Sequence, residues 1–526
     1  MAEVAVDQRR LLKTISWWDG FVIGLANPGF LLVALWGATI ALGGWIVAVL
    51  FAISAVLGAM QAYIYSEPAA MFPDKPGGLS VYAREGWRRY FSFAGPIAVF
   101  GYWFAWSSVL AVYGSLIGFL IVGEFFPDTR FANWTYSLPV IDWVITAPRL
   151  IALGVIVACW TFNVLGMRPA VWFSYATGAM MLLPVGVIAF GAFITGDFRN
   201  HAVDQNFMAG TLESYGYGTG TFTQFALIMV WLYILGWSTY GPEAPATFAP
   251  EFKDTKNDTR KALVSVGGLN VVLSCLLPIA VIGTVGYDAI FGDATGVFFL
   301  VDVLHSIAGE SFGTVLVACL CGGLALSMNT ATMDGSRALY ALAEEKMTIR
   351  WLNHLSSRFV PARAMTVDML LNIFMVFAFP TLFFIIATGN LGYMFSHVLA
   401  LSGVVLLRKD RPDWPRPIKL HSAWMWLAGI LAVVNLAFVI FGVWYLELTG
   451  YFFDAGFTDS TYYLAEGIWV GVGVLVAGVL GYIIAQWQWG KPIRLRDPSD
   501  EGPSPEVYEL MGTPAPTAPA TSPTAR

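Results

Sequence analysis

Twelve apolar runs divide this chain, each long enough to cross the ~30 Å hydrocarbon layer of a bilayer as a helix. They occupy residues 17–41, 45–71, 94–122, 149–166, 169–195, 221–251, 262–286, 311–342, 364–386, 388–407, 423–447 and 463–487. Lipid offers no hydrogen bonds, so a segment inside it must satisfy its own backbone. The runs therefore predict an all-α polytopic membrane protein with twelve transmembrane helices. Composition agrees: of 526 residues 57% are hydrophobic and only 12% charged, which excludes an ordinary soluble domain.

The charges between the runs are sorted by side. Arg9, Arg10 and Lys13 precede the first run, and Lys75, Arg84, Arg88 and Arg89 follow the second. Lys253, Lys256, Arg260 and Lys261 follow the sixth; Lys346 and Arg350 follow the eighth; Arg408, Lys409 and Arg411 follow the tenth. The alternate loops hold Arg130, Arg149 and Arg199, and otherwise acids such as Asp288, Asp293 and Asp454. The positive-inside rule then places both termini in the cytoplasm of a cell (inner or plasma) membrane. A net charge of −6 carries no message about nucleic acid, and no such partner is expected. Cys159, Cys275, Cys319 and Cys321 all fall in apolar runs and read as core residues, and no cleavable leader is evident in the polar residues 1–16. The Pro/Ser/Thr/Ala-rich tail is expected to be disordered, and residues 297–310 to form a short helix over the outer face.

Two of the runs are interrupted. In FALIMVWLYILGWSTYGPEAPATFAPE (225–251) the helical pattern is broken by Gly236, Gly241 and Pro242, which sets Trp237, Ser238, Thr239 and Tyr240 in a gap. Glu243 sits just beyond it. In the first run Gly24-Leu25-Ala26-Asn27-Pro28-Gly29 does the same, with Asn27 placed to cap a second half-helix that Pro28 begins. Non-helical backbone at membrane depth survives only where it lines a cavity or is buried in protein. A matched pair of breaks five runs apart points to an inverted-repeat transporter with its site near the midplane. An ordinary pair of proline kinks is the plainer reading.

Four blocks of residues then resemble the amino acid–polyamine–organocation permeases. They are Tyr65-Ser66-Glu67-Pro68-Ala69-Ala70 with Gly77-Gly78-Leu79-Ser80; Gly241-Pro242-Glu243 with Ala249-Pro250-Glu251; Ser336-Arg337-Ala338-Leu339-Tyr340; and Leu406-Leu407-Arg408 with Arg411-Pro412. The resemblance covers residues 14–420. It implies a leucine-transporter-like core of two inverted five-helix repeats, 17–195 and 221–408, with broken helices 1 and 6. Two extra helices at 423–487 would follow, between a cytoplasmic N-terminus at 1–16 and a cytoplasmic tail at 488–526. It also implies alternating-access transport of an amino acid or amine, driven by protons, sodium or exchange. Two departures stand out. The first break is Asn27-Pro28-Gly29 where the family usually has a Gly-x-Gly turn, and Met181 stands where some proton-coupled members carry a fifth-span lysine.

The substrate residues expected on this basis are Ala26, Asn27, Pro28, Gly29 and Phe30 in the first break, and Trp237, Ser238, Thr239, Tyr240 and Gly241 in the sixth-run break. In bacterial arginine–agmatine exchangers that resemble this stretch, a tryptophan at the place of Trp237 covers the substrate side chain. Packing is the plainer role for one Trp among 21. Glu243 and His397 are titratable groups inside apolar runs and are the candidates for proton coupling, with a helix cap and a packed histidine as the alternatives. Glu67 reads as an ion-pair partner for a basic loop residue. Asn329, Thr330, Thr332 and Asp334 offer oxygens that a sodium ion could use.

No cofactor or metal is expected. Gly309-Glu310-Ser311-Phe312-Gly313 spells a nucleophile-elbow pattern, but no strand precedes it, and the five His have no metal-ligand spacing. The chain is therefore read as a non-enzymatic, proton-coupled permease for an amino acid or related amine. A polyamine- or agmatine-like exchanger and a non-transporting membrane sensor are the alternatives.

Overall fold

The structure is a computed structural model, and it describes residues 11–139, 143–214, 216–293, 297–379, 382–449, 461–499 and 502–514. Within the described helices nothing is said of the side chains at 27, 28, 30, 33, 201, 202, 383, 445–449 and 461–466. Helices α1 (Trp17–Gly24), α2 (Asn27–Leu42), α3 (Gly44–Met71), α4 (Leu79–Trp87) and α5 (Ala94–Phe125) come first. A small hairpin, β1 (Thr135–Ser137) with β2 (Val144–Thr146), leads into α6 (Ala147–Val164) and α7 (Met167–Thr195). Two short helices, α8 (Asn200–Val203) and α9 (Met208–Ser214), precede α10 (Thr221–Thr239) and a 3-10 segment, Gly241–Glu251. Then come α11 (Thr255–Gly292), α12 (Phe299–Ala308), α13 (Glu310–Glu344), α14 (Ala362–Ala378), α15 (Leu382–Asp410), α16 (Ser422–Thr449), α17 (Thr461–Gln488) and α18 (Pro505–Met511).

Among the described residues, ten helices are long and apolar enough to cross a membrane. The chain is a multi-pass helical membrane protein. The two remaining runs are present but short: the first is split into α1 and α2, and the ninth is the 17-residue α14. That ninth run was expected to continue to 386 but stops at Phe379, which is extended (φ −90°, ψ 139°) because it precedes Pro380. The short helix expected at 297–310 is α12.

The most buried of these helices is α5, followed by α15. They cross at a glycine contact: a Cβ on Gly101 would stand 2.5 Å from the Gly392 carbonyl oxygen. Membrane helices without a hydrophobic drive between them gain from such close backbone approach. The turn from α2 to α3 is equally tight. Gly44 (φ +20°) has the Val203 carbonyl oxygen only 1.8 Å from where its Cβ would be, so no side chain fits there.

One end of the bundle gathers residues 11–16, α4 and the segment after α17. Thr14 and Ile15 donate backbone N–H groups to the Glu251 carbonyl (2.9 and 3.1 Å). The chain after α17, expected to be free, is laid across α4 instead: Ser92 N–H donates to the Leu495 carbonyl (2.8 Å) and Asp497 N–H to the Arg88 carbonyl (2.7 Å). α18 reaches the N-terminal segment through a Lys13–Glu506 ion pair. Composition missed this because backbone pairing does not depend on side-chain polarity.

Glu67 and Glu85 anchor the same end. Glu67 accepts from Arg408 (2.5 and 2.6 Å), from Arg416 (3.1 Å) and from Leu420 N–H (2.9 Å), which is the pairing expected of it.

Candidate functional site

α10 stays helical through Thr239, so Trp237, Ser238 and Thr239 lie on its last turn and not in a gap. Gly236 does not break it. The residue is glycine because Met394 Sδ packs 2.5 Å from where a Cβ would be. The helix ends at Tyr240, where Asn270 Nδ2 donates to the Thr239 carbonyl (2.7 Å) and caps it. Beyond the break the chain winds as a 3-10 helix, not the α half-helix expected. Pro242, Pro245 and Pro250 remove three N–H donors from eleven residues, which defeats a regular i→i−4 ladder. Runs of 3-10 helix this long are uncommon and often mark hinges. Its far end is fixed by a buried bidentate pair between Glu251 and Arg337 of α13.

The first break is short. Leu25 and Ala26 keep right-handed dihedrals, and Ala26, not Asn27, is the cap residue of α2. Two α13 hydroxyls hold it: Thr330 donates to the Ile23 carbonyl (2.9 Å) and Ser327 to the Ala26 carbonyl (3.0 Å). Gly29 N–H turns back to Ala26 O (3.1 Å). A Cβ on Gly29 would meet Ser327 Oγ at 2.8 Å and Met181 Cε at 2.9 Å. Met181 thus plugs the side of the first break with an apolar side chain. Asn27, Pro28 and Phe30 belong to α2, and their side chains lie outside the described residues.

Beside the end of α10 is a cavity of about 10 Å³ lined by Ala105, Trp106, Val109, Trp237, Gly241 and Tyr393. That is room for one water. An amino acid enters only when the surrounding helices part. Trp237 and Gly241 both line this cavity, and Tyr113 packs against Trp237, ring centroids 6.4 Å apart. Thr239 does not reach it. Its hydroxyl is shared with Ser54 (2.6 Å) and its own Leu235 carbonyl (2.9 Å). Ser238 Oγ is buried without a partner, and Tyr240 turns its ring edge to His397 at 5.1 Å.

Glu243 is 1% exposed at the start of the 3-10 segment. Its Oε1 accepts from Tyr393 O–H (2.7 Å), Oε2 has no partner in hydrogen-bonding geometry, and the Trp106 indole stands beside it. No Lys or Arg pairs with it among the described residues. Asp334, in α13 near Tyr102 and Thr247, is fully buried, with neither oxygen in hydrogen-bonding geometry. Asp368 in α14 is also fully buried; Trp103 Nε1 donates to its Oδ1, while Oδ2 has no partner. An uncompensated carboxylate at membrane depth is costly. Asp368 is not among the site residues expected from the sequence, although an acid inside an apolar run is signal enough for it, and Asp334 is expected there only to offer an oxygen. Tyr393 and Trp106 could not be singled out among so many aromatics.

His397 is 1% exposed, its Nδ1 3.0 Å from Tyr65 Oη and its ring against Tyr240 and Tyr393. Tyr393 also donates to Glu243, so the two coupling candidates share this neighbour. The three span-eight residues expected to share an ion do not converge. Asn329 donates to the Ala170 carbonyl (3.0 Å) and Ser174 Oγ (2.8 Å) and accepts from Asn163. Thr330 faces the first break, and Thr332 bonds its own Met328 carbonyl (3.0 Å). Steps of ~100° per residue turn these side chains to different neighbours. Among the described residues no group of three or more His, Cys, Asp and Glu could hold a metal.

A multi-span helical bundle with a discontinuous helix beside a buried aromatic cavity has the form of a membrane transporter. The chain belongs to the amino acid permease family, whose profile matches residues 15–479. It is 24% identical over 466 residues to the arginine/ornithine antiporter ArcD2 of Lactococcus lactis subsp. cremoris strain MG1363, covering 84% of this chain and 88% of that protein.

Proposed function

We propose that the chain is a secondary active permease that moves an amino acid across the cell membrane by alternating access, with Glu243 coupling a proton to transport. The observation that carries this reading is the cavity at the sixth-span break, walled by Trp106, Trp237 and Tyr393 and bordered by Glu243, which has no ion-pair partner among the described residues. The architecture we propose is the twelve-span one, with inverted repeats at 17–195 and 221–408. Residues 423–487 would supply two further helices, and both termini would be cytoplasmic. A substrate with a cationic side chain is favoured by the buried Glu243 and Asp334 and by the arginine/ornithine exchange of the Lactococcus relative. A flat indole such as Trp237 can stack on such a cation.

The test is counterflow of labelled amino acids, arginine and ornithine included, in proteoliposomes. Saturable exchange of an amino acid is expected. Exchange of decarboxylated amines alone would favour a polyamine-type exchanger, and binding without exchange would make the chain a sensor. In the same assay Trp237→Ala is expected to weaken apparent affinity about tenfold, the equivalent of ~1.4 kcal/mol of lost stacking. Unchanged affinity in a well-folded variant would assign Trp237 to packing.

Orientation has its own measurement. In a cysteine-free background, a cysteine at the exposed Arg130 is expected to react with an impermeant maleimide from outside intact cells. One at the exposed Arg350 is expected to react only after permeabilisation. The reverse pattern would invert the topology.

A further inference from the structure

A second cavity, of about 240 Å³, opens at the end of the bundle where residues 491–499 cross α4. Five basic side chains line it, Arg84, Arg88, Lys346, Lys491 and Arg494, against two acids, Glu345 and Asp497. Both acids are already matched. Glu345 meets Lys75 (2.7 Å) and Arg84 (2.8 Å), and Asp497 meets Arg88 (3.0 Å). Lys346 has only the Trp489 ring, 5.1 Å from its Nζ, and the side chains of Lys491 and Arg494 make no ion pair among the described residues. Arg88 is only 5% exposed, yet its buried Nε has no hydrogen-bond partner.

Cations without an ion-pair partner around a concave space, with a buried guanidinium donor left over, suit an anion. Guanidinium forks suit the tetrahedral oxygens of phosphate. We propose that this cavity is a binding site for a phosphate group, supplied either by the headgroup of an anionic phospholipid or by a soluble phosphate. Basic pockets between the ends of membrane helices take lipid headgroups in this way. Arg84 and Arg88 come from α4 and its end, Lys346 from just after α13, and Lys491 and Arg494 from just after α17. The bound group therefore clamps three separate parts of the bundle end together.

The probes are inorganic phosphate and phosphatidylglycerol, applied to the full-length protein in phosphatidylcholine nanodiscs, with thermal unfolding as the readout. Stabilisation by phosphatidylglycerol alone identifies the lipid as the source, and stabilisation by inorganic phosphate in pure phosphatidylcholine identifies the soluble ion. In either case the double variant Lys491→Gln/Arg494→Gln is expected to weaken the effect by at least about tenfold in apparent affinity. No stabilisation by either probe, or equal stabilisation of the double variant, overturns the site. Asp500 and Glu501 follow in the sequence, outside the described residues. If phosphate binds only to Asp500→Asn/Glu501→Gln, the tail's own carboxylates fill the cavity and the proposal falls.

Discussion

Glu243→Gln is expected to keep substrate exchange and to remove the pH dependence of net uptake. Two effects compete at this carboxylate. The free N–H groups at the start of the 3-10 segment favour a charge there by ~0.3–2 kcal/mol, toward the low end for so short a helix. A charge at the centre of a bilayer costs ~2.5–3.5 kcal/mol or more. One hydrogen bond from Tyr393 and an indole alongside do not make up that difference where no cation pairs with it among the described residues. A proton carried with each cycle would, and glutamine imitates the neutral form at the same volume. Uptake driven by a pH gradient and counterflow at fixed pH, measured on the same proteoliposomes, separate the two functions. An unaltered pH profile in the variant would make Glu243 a structural cap and leave Asp334 and Asp368, buried without an ion-pair partner among the described residues, as the next acids to test.

Glu85→Gln has the largest expected effect on stability. The carboxylate is buried in α4 and bonded by Arg84 (2.8 Å), Arg411 (2.8 Å), Lys75 (3.1 Å) and Arg88 (3.4 Å). Removing the acid leaves four cations facing one another with little water, and breaking a buried ion pair from one side costs ~3–5 kcal/mol. Burial by itself would raise the Glu85 carboxyl, but the four cations outweigh it and hold it well below the usual carboxylate range. The native state thus keeps Glu85 ionised to lower pH than the unfolded chain does. Its contribution is complete above the ordinary carboxylate range and is lost as pH falls below it. The variant is expected to melt at a lower temperature than the wild type at neutral pH, and the gap should narrow on acidification. A constant gap from neutral to strongly acid pH would show that Glu85 acts through packing and not charge.

How far the chain could be read by eye differs between its two broken helices. Prolines 242, 245 and 250 announce that the sixth span cannot continue as a regular helix, because each removes a donor whatever surrounds it. They do not say where the α-helix stops. Gly236 read as a break and proved to be a packing contact with Met394, which lies more than a hundred residues later. In the first span, the Asn-Pro-Gly signature located the interruption, but the hydroxyls of Ser327 and Thr330 that stabilise it lie on α13.

The sequence by itself determined what depends on neighbours along the chain. The apolar runs require helices in lipid, the prolines place two interruptions, and the ordered blocks from Tyr65 to Pro412 carry the family. The first two follow from backbone hydrogen bonding and side-chain hydrophobicity over some twenty residues, and the third is a resemblance in local sequence. The tertiary structure decided which of many aromatic and polar residues meet. Trp106, Trp237 and Tyr393 reach one cavity from α5, α10 and α15, and Tyr393 finds Glu243 across 150 positions. It also turned Asn329, Thr330 and Thr332 to three separate partners and laid the segment after α17 across α4. Such pairings are selected by the packing of whole helices, whose relative rotation and depth no local pattern encodes.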